Sequence, residues 1–162
     1  MRVQKKAKKR VLAVSSSGGH WAELVRLSPA FANHDVIFVI ATPKEYADAY
    51  NLSDYAKGGK IITINDANRW DKVGLIQMLI QLIRIFIQVR PDVVISTGAA
   101  SGFFAVCLGK LLRAKTIWVD SIANAEQLSM SGQLAGKYAD LWLTQWPHLE
   151  RNVGPYYRGD VL

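Results

Sequence analysis

Short, mostly apolar runs alternate with longer amphipathic segments along most of the chain. The runs lie at 11–14, 36–41, 60–64, 92–96, 116–120 and 139–144. Such runs are typical of strands that are buried on both faces of a parallel sheet. Helices are predicted between them, starting near 21 and 43 and spanning 73–89, 102–112 and 131–138. Strands that alternate with helices favour an α/β, doubly wound, Rossmann-like parallel sheet of about six strands with helices on both faces.

The helix predicted over 73–89 is the most apolar segment of the chain. Its polar residues share an arc of about 60°, at ~100° per residue, and they are Gln77, Gln81, Arg84 and Gln88. Seventeen residues are at the short limit for a membrane span, so no span is predicted. The helix is either well buried in a thick α/β layer or presents an apolar patch to a membrane. The basic residues near it favour the patch, for which we predict Leu79, Ile83 and Phe86.

Charge is concentrated at the start of the chain. The net charge is +7, and six of the 20 basic residues lie at 1–10, so 14 basic and 13 acidic residues remain in the rest. We therefore predict a basic tail over 1–10 and a single domain over 11–162, long enough to bury a core. The tail suits an anionic membrane surface or nucleic acid, or it is a solubilising end. The near-neutral body argues against a nucleic-acid partner.

Two loops of small residues follow predicted strands and lead into helices. They lie at 15–20 and 97–102. In the common strand order 3-2-1-4-5-6, strands one and four are neighbours, so the two loops would meet at one crevice. Free backbone N–H groups and the positive dipole end of a helix attract phosphate. We predict a diphosphate site formed by Ser17, Gly18, Gly19, His20, Gly98, Ser101 and Gly102. The alternative is that each loop is only a tight connection with a capping serine.

Known nucleotide-binding and hydrolase fingerprints do not occur in these loops. The first loop has neither the G-x-G-x-x-G pattern nor the P-loop pattern, and the chain has no G-x-S-x-G elbow. His20 and Asp120 are the two candidates for catalysis, as groups that can move a proton at the crevice. Asp120 is alternatively a capping residue of a turn or helix. Three dispersed histidines and one cysteine give no metal-ligand spacing, so neither a metal nor another cofactor is predicted.

The order and spacing of several motifs resemble those of the asparagine-linked glycosylation protein 14 family, including its bacterial polysaccharide-biosynthesis members. The resemblance covers nearly the whole chain after the tail. The motifs are SSGGH at 16–20, AEL at 22–24, PDVVISTG at 91–98, LSMSG at 128–132, YAD at 138–140 and QWP at 145–147. Eukaryotic members usually carry an N-terminal membrane anchor, and this chain has a basic tail instead, so a bacterial-type member is the better match.

The resemblance implies that this domain is the acceptor-binding N-terminal half of a GT-B glycosyltransferase. Such a half would bind a polyprenyl-diphosphate-linked sugar at the cytosolic face of the membrane and pair with a catalytic subunit of the protein 13 type that holds the UDP-sugar. By this resemblance Gly18, Gly19 and His20 would contact the acceptor diphosphate or the transferring centre. The alternative from a different class is a stand-alone nucleotide- or phosphosugar-binding module without transferase activity.

Overall fold

The sheet has seven parallel strands in the order β3-β2-β1-β4-β5-β6-β7. A computed structural model describes residues 7–47 and 59–161. The strands are β1 (Arg10–Ser16), β2 (Asp35–Thr42), β3 (Lys60–Asn65), β4 (Val93–Ser96), β5 (Lys115–Val119), β6 (Leu141–Thr144) and β7 (Tyr156–Tyr157). The helices are α1 (Gly19–Leu27), α2 (Lys44–Ala47), α3 (Lys72–Val89), α4 (Ala99–Leu111) and α5 (Met130–Ala135). The predicted α/β class and parallel sheet are confirmed.

The two ends of the described chain differ from the prediction. β7 was expected to be irregular chain, and it pairs with β6 through only two register positions, which are too few to leave a periodic signal. At the other end, Arg10 was assigned to the basic tail but begins β1. Its backbone N–H donates to Asp92 Oδ2 at 2.8 Å. Arg10 is therefore part of the sheet, and residues 1–6 of the predicted tail lie outside the described part of the chain.

Two apolar layers cover the sheet, one on each face. The side chains of β1 alternate between them, because successive residues of a strand point to opposite faces. Leu12 and Val14 pack in a cluster that includes Met78 of α3 and Ala105 of α4. The intervening strand residues pack instead with Trp21 and the rest of the inner face of α1. The helices therefore bury both faces of the central strands, as a doubly wound sheet requires.

Helix α3 has an apolar inner face and a second apolar stripe on its outer side. Asp71 caps it by accepting the N–H of Gly74 at 2.8 Å. On the inner face, Met78, Leu82 and Phe86 are fully buried in the sheet layer. The outer stripe consists of Val73, Ile76, Ile80, Ile83 and Ile87, which are exposed by 39–67%. By length and composition α3 is also the one helix in 7–47 and 59–161 that is apolar enough to cross a membrane.

The structure corrects the predicted membership of the apolar patch. Ile83 is exposed, but Leu79 is only partly so, and Phe86 is 1% exposed and belongs to the core. The reason is that the polar arc does not point directly away from the sheet. Gln77 and Gln81 turn towards the end of β3, where their side-chain oxygens accept from Asn65 at 3.0 and 2.9 Å. The apolar residues on one side of this arc are therefore buried against the sheet, and those on the other side are exposed.

Candidate functional site

The two small-residue loops meet at the carboxyl edge of the sheet. β1 and β4 pair side by side, with Val14 opposite Ser96. The hydroxyl of Thr97 donates to the backbone oxygen of His20 at 2.7 Å, which ties one loop to the other. The imidazole of His20 lies directly against Gly98, where a β-carbon would come within 2.5 Å of Nδ1. The predicted convergence of the loops is therefore confirmed in the geometry.

Both loops present a helix start without a side-chain cap. α1 begins after Gly18 and α4 after Gly98, and neither cap residue has a side chain to satisfy the first backbone N–H groups. Gly18 has φ 79° and Gly98 has φ 150°, conformations that favour glycine. A β-carbon at Gly18 or Gly19 would meet nothing within 4 Å. The first loop therefore leaves open space over N–H groups that can bind an anion.

Several buried polar atoms at this junction have no hydrogen-bond partner among the described residues. They include Nδ1 of His20 and the hydroxyls of Ser15 and Ser101. Buried polar groups in native proteins are nearly always paired with protein, water or ligand. Ser101 is 1% exposed and lies in the first turn of α4, so its hydroxyl accompanies the free N–H groups of that turn. The junction thus has unused hydrogen-bonding capacity.

The remaining residues predicted for the diphosphate site have different surroundings. Ser17 is half-buried, and its N–H donates to the oxygen of Ala41 at 2.9 Å, so its backbone continues the β1–β2 ladder. Gly102 faces the sheet instead of the crevice. A β-carbon there would overlap the hydroxyl of Ser96 and lie 3.4 Å from the Trp118 ring. Gly102 therefore allows close packing of α4 on β4 and β5.

Asp120 lies just after β5 at the same edge, and it is 1% exposed. Its Oδ1 accepts the indole N–H of Trp118 at 3.1 Å and the hydroxyl of Ser129 at 2.5 Å, and its Oδ2 accepts the N–H of Ser129 at 2.9 Å. Ser129 in turn caps α5 by accepting the N–H of Gly132 at 2.8 Å. Both carboxylate oxygens are thus engaged within the chain, which matches the capping alternative better than the catalytic one.

A buried carboxylate that the sequence analysis did not single out lies beside the crevice. Glu23 of α1 is 5% exposed. Its Oε1 accepts the Ser121 hydroxyl at 2.7 Å and the Ile122 N–H at 3.2 Å, and its Oε2 accepts the Gln145 amide at 3.2 Å. It therefore joins α1 to the chain that follows β5 and β6. The signal in the sequence that could have identified Glu23 was an acidic residue on the inner face of an amphipathic helix.

The N-terminal end of α3 lies at the same edge of the sheet as the crevice. Trp70 is 79% exposed there, and the Arg69 guanidinium stacks over its ring at 4.7 Å. Arg69 also reaches the sulfur of Met130, at the start of α5, at 3.8 Å. The exposed stripe of α3 therefore begins next to the crevice and continues along the helix towards the opposite edge.

Comparison with known proteins identifies the family. Residues 11–159 match the family described as "Oligosaccharide biosynthesis protein Alg14 like". The chain belongs to this family. A relative named UDP-N-acetylglucosamine transferase subunit ALG14, from Mus musculus, is 24% identical over 189 residues, which cover 94% of this chain and 83% of the relative. The human protein of the same name is 30% identical over 83 residues, covering 46% and 38% of the two chains.

Solved structures with the same fold are about twice as long. Acinetobacter baumannii MurG superposes with a TM-score of 0.71 at 13% identity, and the match covers 94% of this chain and 45% of MurG. A UDP complex of Staphylococcus aureus MnaA gives a TM-score of 0.64 at 17% identity, covering 85% and 39%. This Alg14-like chain therefore has the Rossmann-like fold found in GT-B glycosyltransferases and spans less than half the length of these neighbours.

Proposed function

We propose that this Alg14-like protein is the acceptor-binding subunit of a two-component UDP-sugar-dependent glycosyltransferase. It binds a polyprenyl-diphosphate-linked sugar, and a separate catalytic subunit of the protein 13 type supplies most of the UDP-sugar site. The complex transfers N-acetylglucosamine or another hexose during polysaccharide or lipid-linked oligosaccharide synthesis. The observation that carries the proposal is the junction of His20 and Gly98, where two uncapped helix starts meet at one open crevice.

The crevice suits the diphosphate of the acceptor. Gly18 and Gly19 are exposed and leave room above the N–H groups of α1, and the second loop adds the first turn of α4. Two helix dipoles directed at one place stabilise an extended anion better than either alone. Bound in this way, the diphosphate would hold the attached sugar near the imidazole of His20.

His20 is the residue we assign to proton transfer. In the reaction the acceptor hydroxyl oxygen bonds to the anomeric carbon of the donor sugar, the bond to UDP breaks, and the hydroxyl proton must be removed. The free ring nitrogen of a neutral imidazole can accept that proton. The hydrogen bond from Thr97 to the His20 backbone and the contact with Gly98 fix the position of the ring. Asp120 acts indirectly, by holding Ser129 and the start of α5.

Relatives named as transferase subunits support the division into two chains. A GT-B enzyme needs two domains, each of roughly 100–200 residues, with the reacting groups between them. This chain matches only 45% of MurG, so a second domain of similar size is needed to close the crevice. We therefore expect negligible transfer by this chain alone.

The exposed stripe of α3 is the surface that we propose rests on the membrane, on its cytosolic face. Five branched apolar side chains follow one another at spacings of three and four residues, and Trp70 stands at one end. Tryptophan favours the interface between headgroups and acyl chains. Arg69 and Lys72 at the start of the helix, and Arg84 beside the stripe, provide the cationic rim that a peripheral helix requires.

Transfer is tested by purifying the chain with and without the catalytic subunit and supplying a polyprenyl-diphosphate-linked sugar and several UDP-sugars. We expect transfer only with both subunits. His20→Ala should reduce it by about 100- to 10,000-fold. The matched control is His34→Ala, because His34 lies at the opposite edge of the sheet, where its Nδ1 accepts from the Lys9 N–H. Robust transfer by this chain alone would support a different assignment, and binding of a sugar phosphate without any transfer would favour the stand-alone module.

Membrane association is tested separately by vesicle sedimentation. Ile76, Ile80 and Ile83 replaced together by serine should lower vesicle binding by at least 100-fold, since each buried apolar side chain contributes about 1.5–3 kcal/mol. Because these side chains are exposed, the thermal midpoint should change little. The control is serine at Leu134 and Val153, which are exposed elsewhere. An equal loss in both variants would argue against this surface.

A further inference from the structure

A second cavity lies at the edge of the sheet opposite the crevice, between the carboxyl ends of α3 and α4. Its volume is about 690 Å³. Basic side chains dominate its lining, namely Lys9, Arg10, Arg90 and Arg113, together with one acidic residue, Asp92. The proposed transfer reaction makes no use of this cavity, although Pro91 and Asp92 of its lining belong to the PDVVISTG motif. Its charge therefore calls for a separate explanation.

The only acidic side chain in the lining is already neutralised. Arg10 forms an ion pair with Asp92 at 3.3 Å, and its backbone N–H donates to the same carboxylate at 2.8 Å. These hydrogen bonds hold the pKa of Asp92 below its usual value, so it remains ionised and committed to Arg10. The guanidinium groups of Arg90 and Arg113 form no hydrogen bond or ion pair with any residue in 7–47 or 59–161. Two cations are therefore free to bind an anion.

Both free arginines occupy positions where glycine or asparagine is usual. Arg90 caps the end of α3 with φ 48°, and Arg113 follows α4 with φ 63°. The second position closes a Schellman motif, in which the Ala114 N–H donates to Gly109 at 2.9 Å. A left-handed conformation is unfavourable for a residue with a β-carbon. A helix dipole attracts a cation anywhere in the last turn, so it does not explain arginine at both strained positions.

The cavity is continuous with the exposed stripe of α3. Ile87 is the last residue of that stripe and also lines the cavity, and it is 65% exposed. On the α4 side, Leu112 lines the cavity and is 56% exposed. A ligand that combines a phosphate with an apolar chain would therefore find cations and apolar surface side by side. Arginine is well suited to such a phosphate, because its planar group can donate two parallel hydrogen bonds.

We propose that this cavity binds the phosphate of an anionic phospholipid headgroup, with Arg90 and Arg113 as its ligands. The proposal rests on the proposed membrane association of α3. It adds a discrete, saturable lipid site to a surface that would otherwise attract anionic membranes only by its average charge. Binding here would fix the far end of α3 on the membrane, while Trp70 fixes the end beside the crevice.

The test measures partitioning of the full chain onto vesicles of phosphatidylcholine with and without phosphatidylglycerol. The variant is Arg90→Asn with Arg113→Asn, because asparagine removes the charge and tolerates the left-handed conformation. We expect it to lose more than about 100-fold in binding to the anionic vesicles, because each arginine would give up charge-assisted hydrogen bonds to the phosphate in addition to its average attraction. Binding to phosphatidylcholine alone should not change. Lys72→Gln with Arg84→Gln removes two charges of the rim outside the cavity, and it should lose about 30-fold at most, the usual effect of two cations at such a surface.

Each outcome separates this inference from the membrane proposal. If the wild type binds neither kind of vesicle, the membrane surface and the lipid site both fail. If it binds both kinds equally, or if the two double variants lose the same amount, only the discrete site is overturned. Soluble glycerophosphoglycerol should displace the protein from anionic vesicles only weakly. Full displacement would assign the cavity to a soluble phosphate instead. Arg90→Lys with Arg113→Lys should keep part of the anionic preference, and it serves as the test variant if the asparagine pair does not fold.

Discussion

The two glycine-containing loops have similar compositions but use their glycines for different physical reasons. In the β1–α1 loop, Gly18 and Gly19 are exposed, and added β-carbons would meet no atom within 4 Å. At the β4–α4 junction, Gly98 in the loop and Gly102 near the start of α4 are buried, and added β-carbons would strike His20 or Ser96. The first loop therefore keeps its surface open to a ligand, whereas the second uses small residues to bring two parts of the protein into contact.

This difference also explains why the second loop matters to the site. In the proposed diphosphate site its contribution would come from the first turn of α4, whereas Gly98 accommodates the His20 ring. The first loop is thus the open part of this junction and the second is the supporting part. Substitutions should separate them, because changes in the supporting loop affect stability first and changes in the open loop affect binding first.

The largest effect is expected for Gly98→Ala. The substitution places a β-carbon against the His20 ring and forces φ 150° on a non-glycine residue. Strain and overpacking together should lower the free energy of unfolding by about 2–6 kcal/mol, as measured by urea denaturation. The double variant with His20→Ala should recover the part of this loss that comes from the clash. If the two losses are simply additive, the ring and Gly98 are not in contact.

Gly102→Ala should have the next largest effect. Its β-carbon would overlap the Ser96 hydroxyl and force α4 away from the sheet, at a cost of about 1–3 kcal/mol. The matched substitution in the open loop is Gly19→Ala, which should leave the protein equally stable or stabilise it by up to about 1 kcal/mol, because its β-carbon meets no neighbour. Calorimetric titration with pyrophosphate should show weaker binding for Gly19→Ala without a loss of stability, because its β-carbon would occupy the open space of the proposed site. The same change in stability for both variants would remove the distinction between the loops.

Asp120→Asn tests whether the Asp120 carboxylate, which lies at the same edge of the sheet as the two loops, stabilises the fold. The asparagine would place an amide N–H₂ against two of the donors that now bind the carboxylate, from Trp118 and Ser129. We expect a loss of about 1.5–3 kcal/mol in unfolding free energy, typical of hydrogen bonds to a buried charged group. Thermal unfolding followed by circular dichroism measures it. A stable variant that has lost sugar transfer would instead favour direct catalysis by Asp120.

The smallest effect is expected for Asp140, which lies at the start of β6 and provides a reference away from both loops. Hydrogen bonds from Lys110 and Thr116 hold its pKa below the usual value for an aspartate. Its ionised form is therefore stabilised in the folded state, and this contribution is lost as the pH falls through the folded pKa. Asp140→Asn should cost about 1 kcal/mol at pH 7.

The difference between the wild type and Asp140→Asn should shrink when urea unfolding is repeated in steps from neutral pH down to about pH 3. Asp66→Asn is the control, because Asp66 is exposed. A difference that is constant across this range would mean that the ionisation of Asp140 does not contribute to stability.

Some polar residues acquired their roles only from contacts between distant parts of the chain. Glu23 receives hydrogen bonds from residues 98 and 122 positions further along the chain, so no local pattern identified it. Phe86 was expected on the exposed patch, but it lies on the inner face of α3 and is buried. The side of α3 that meets the sheet depends on contacts such as the hydrogen bonds from Asn65, and these depend on where β3 ends.

The sequence by itself determined the alternation of strands and helices, the α/β class, the meeting of the two loops and the family. The fold follows from local periodicity and from the common strand order of doubly wound sheets, in which the first and fourth strands are neighbours, and the family follows from the order and spacing of its motifs. Only the tertiary structure decided which glycines face open space, which side of α3 is exposed, and that Asp120 supports the start of α5. Those properties depend on what lies opposite each residue across the fold, and a one-dimensional pattern carries no such distances.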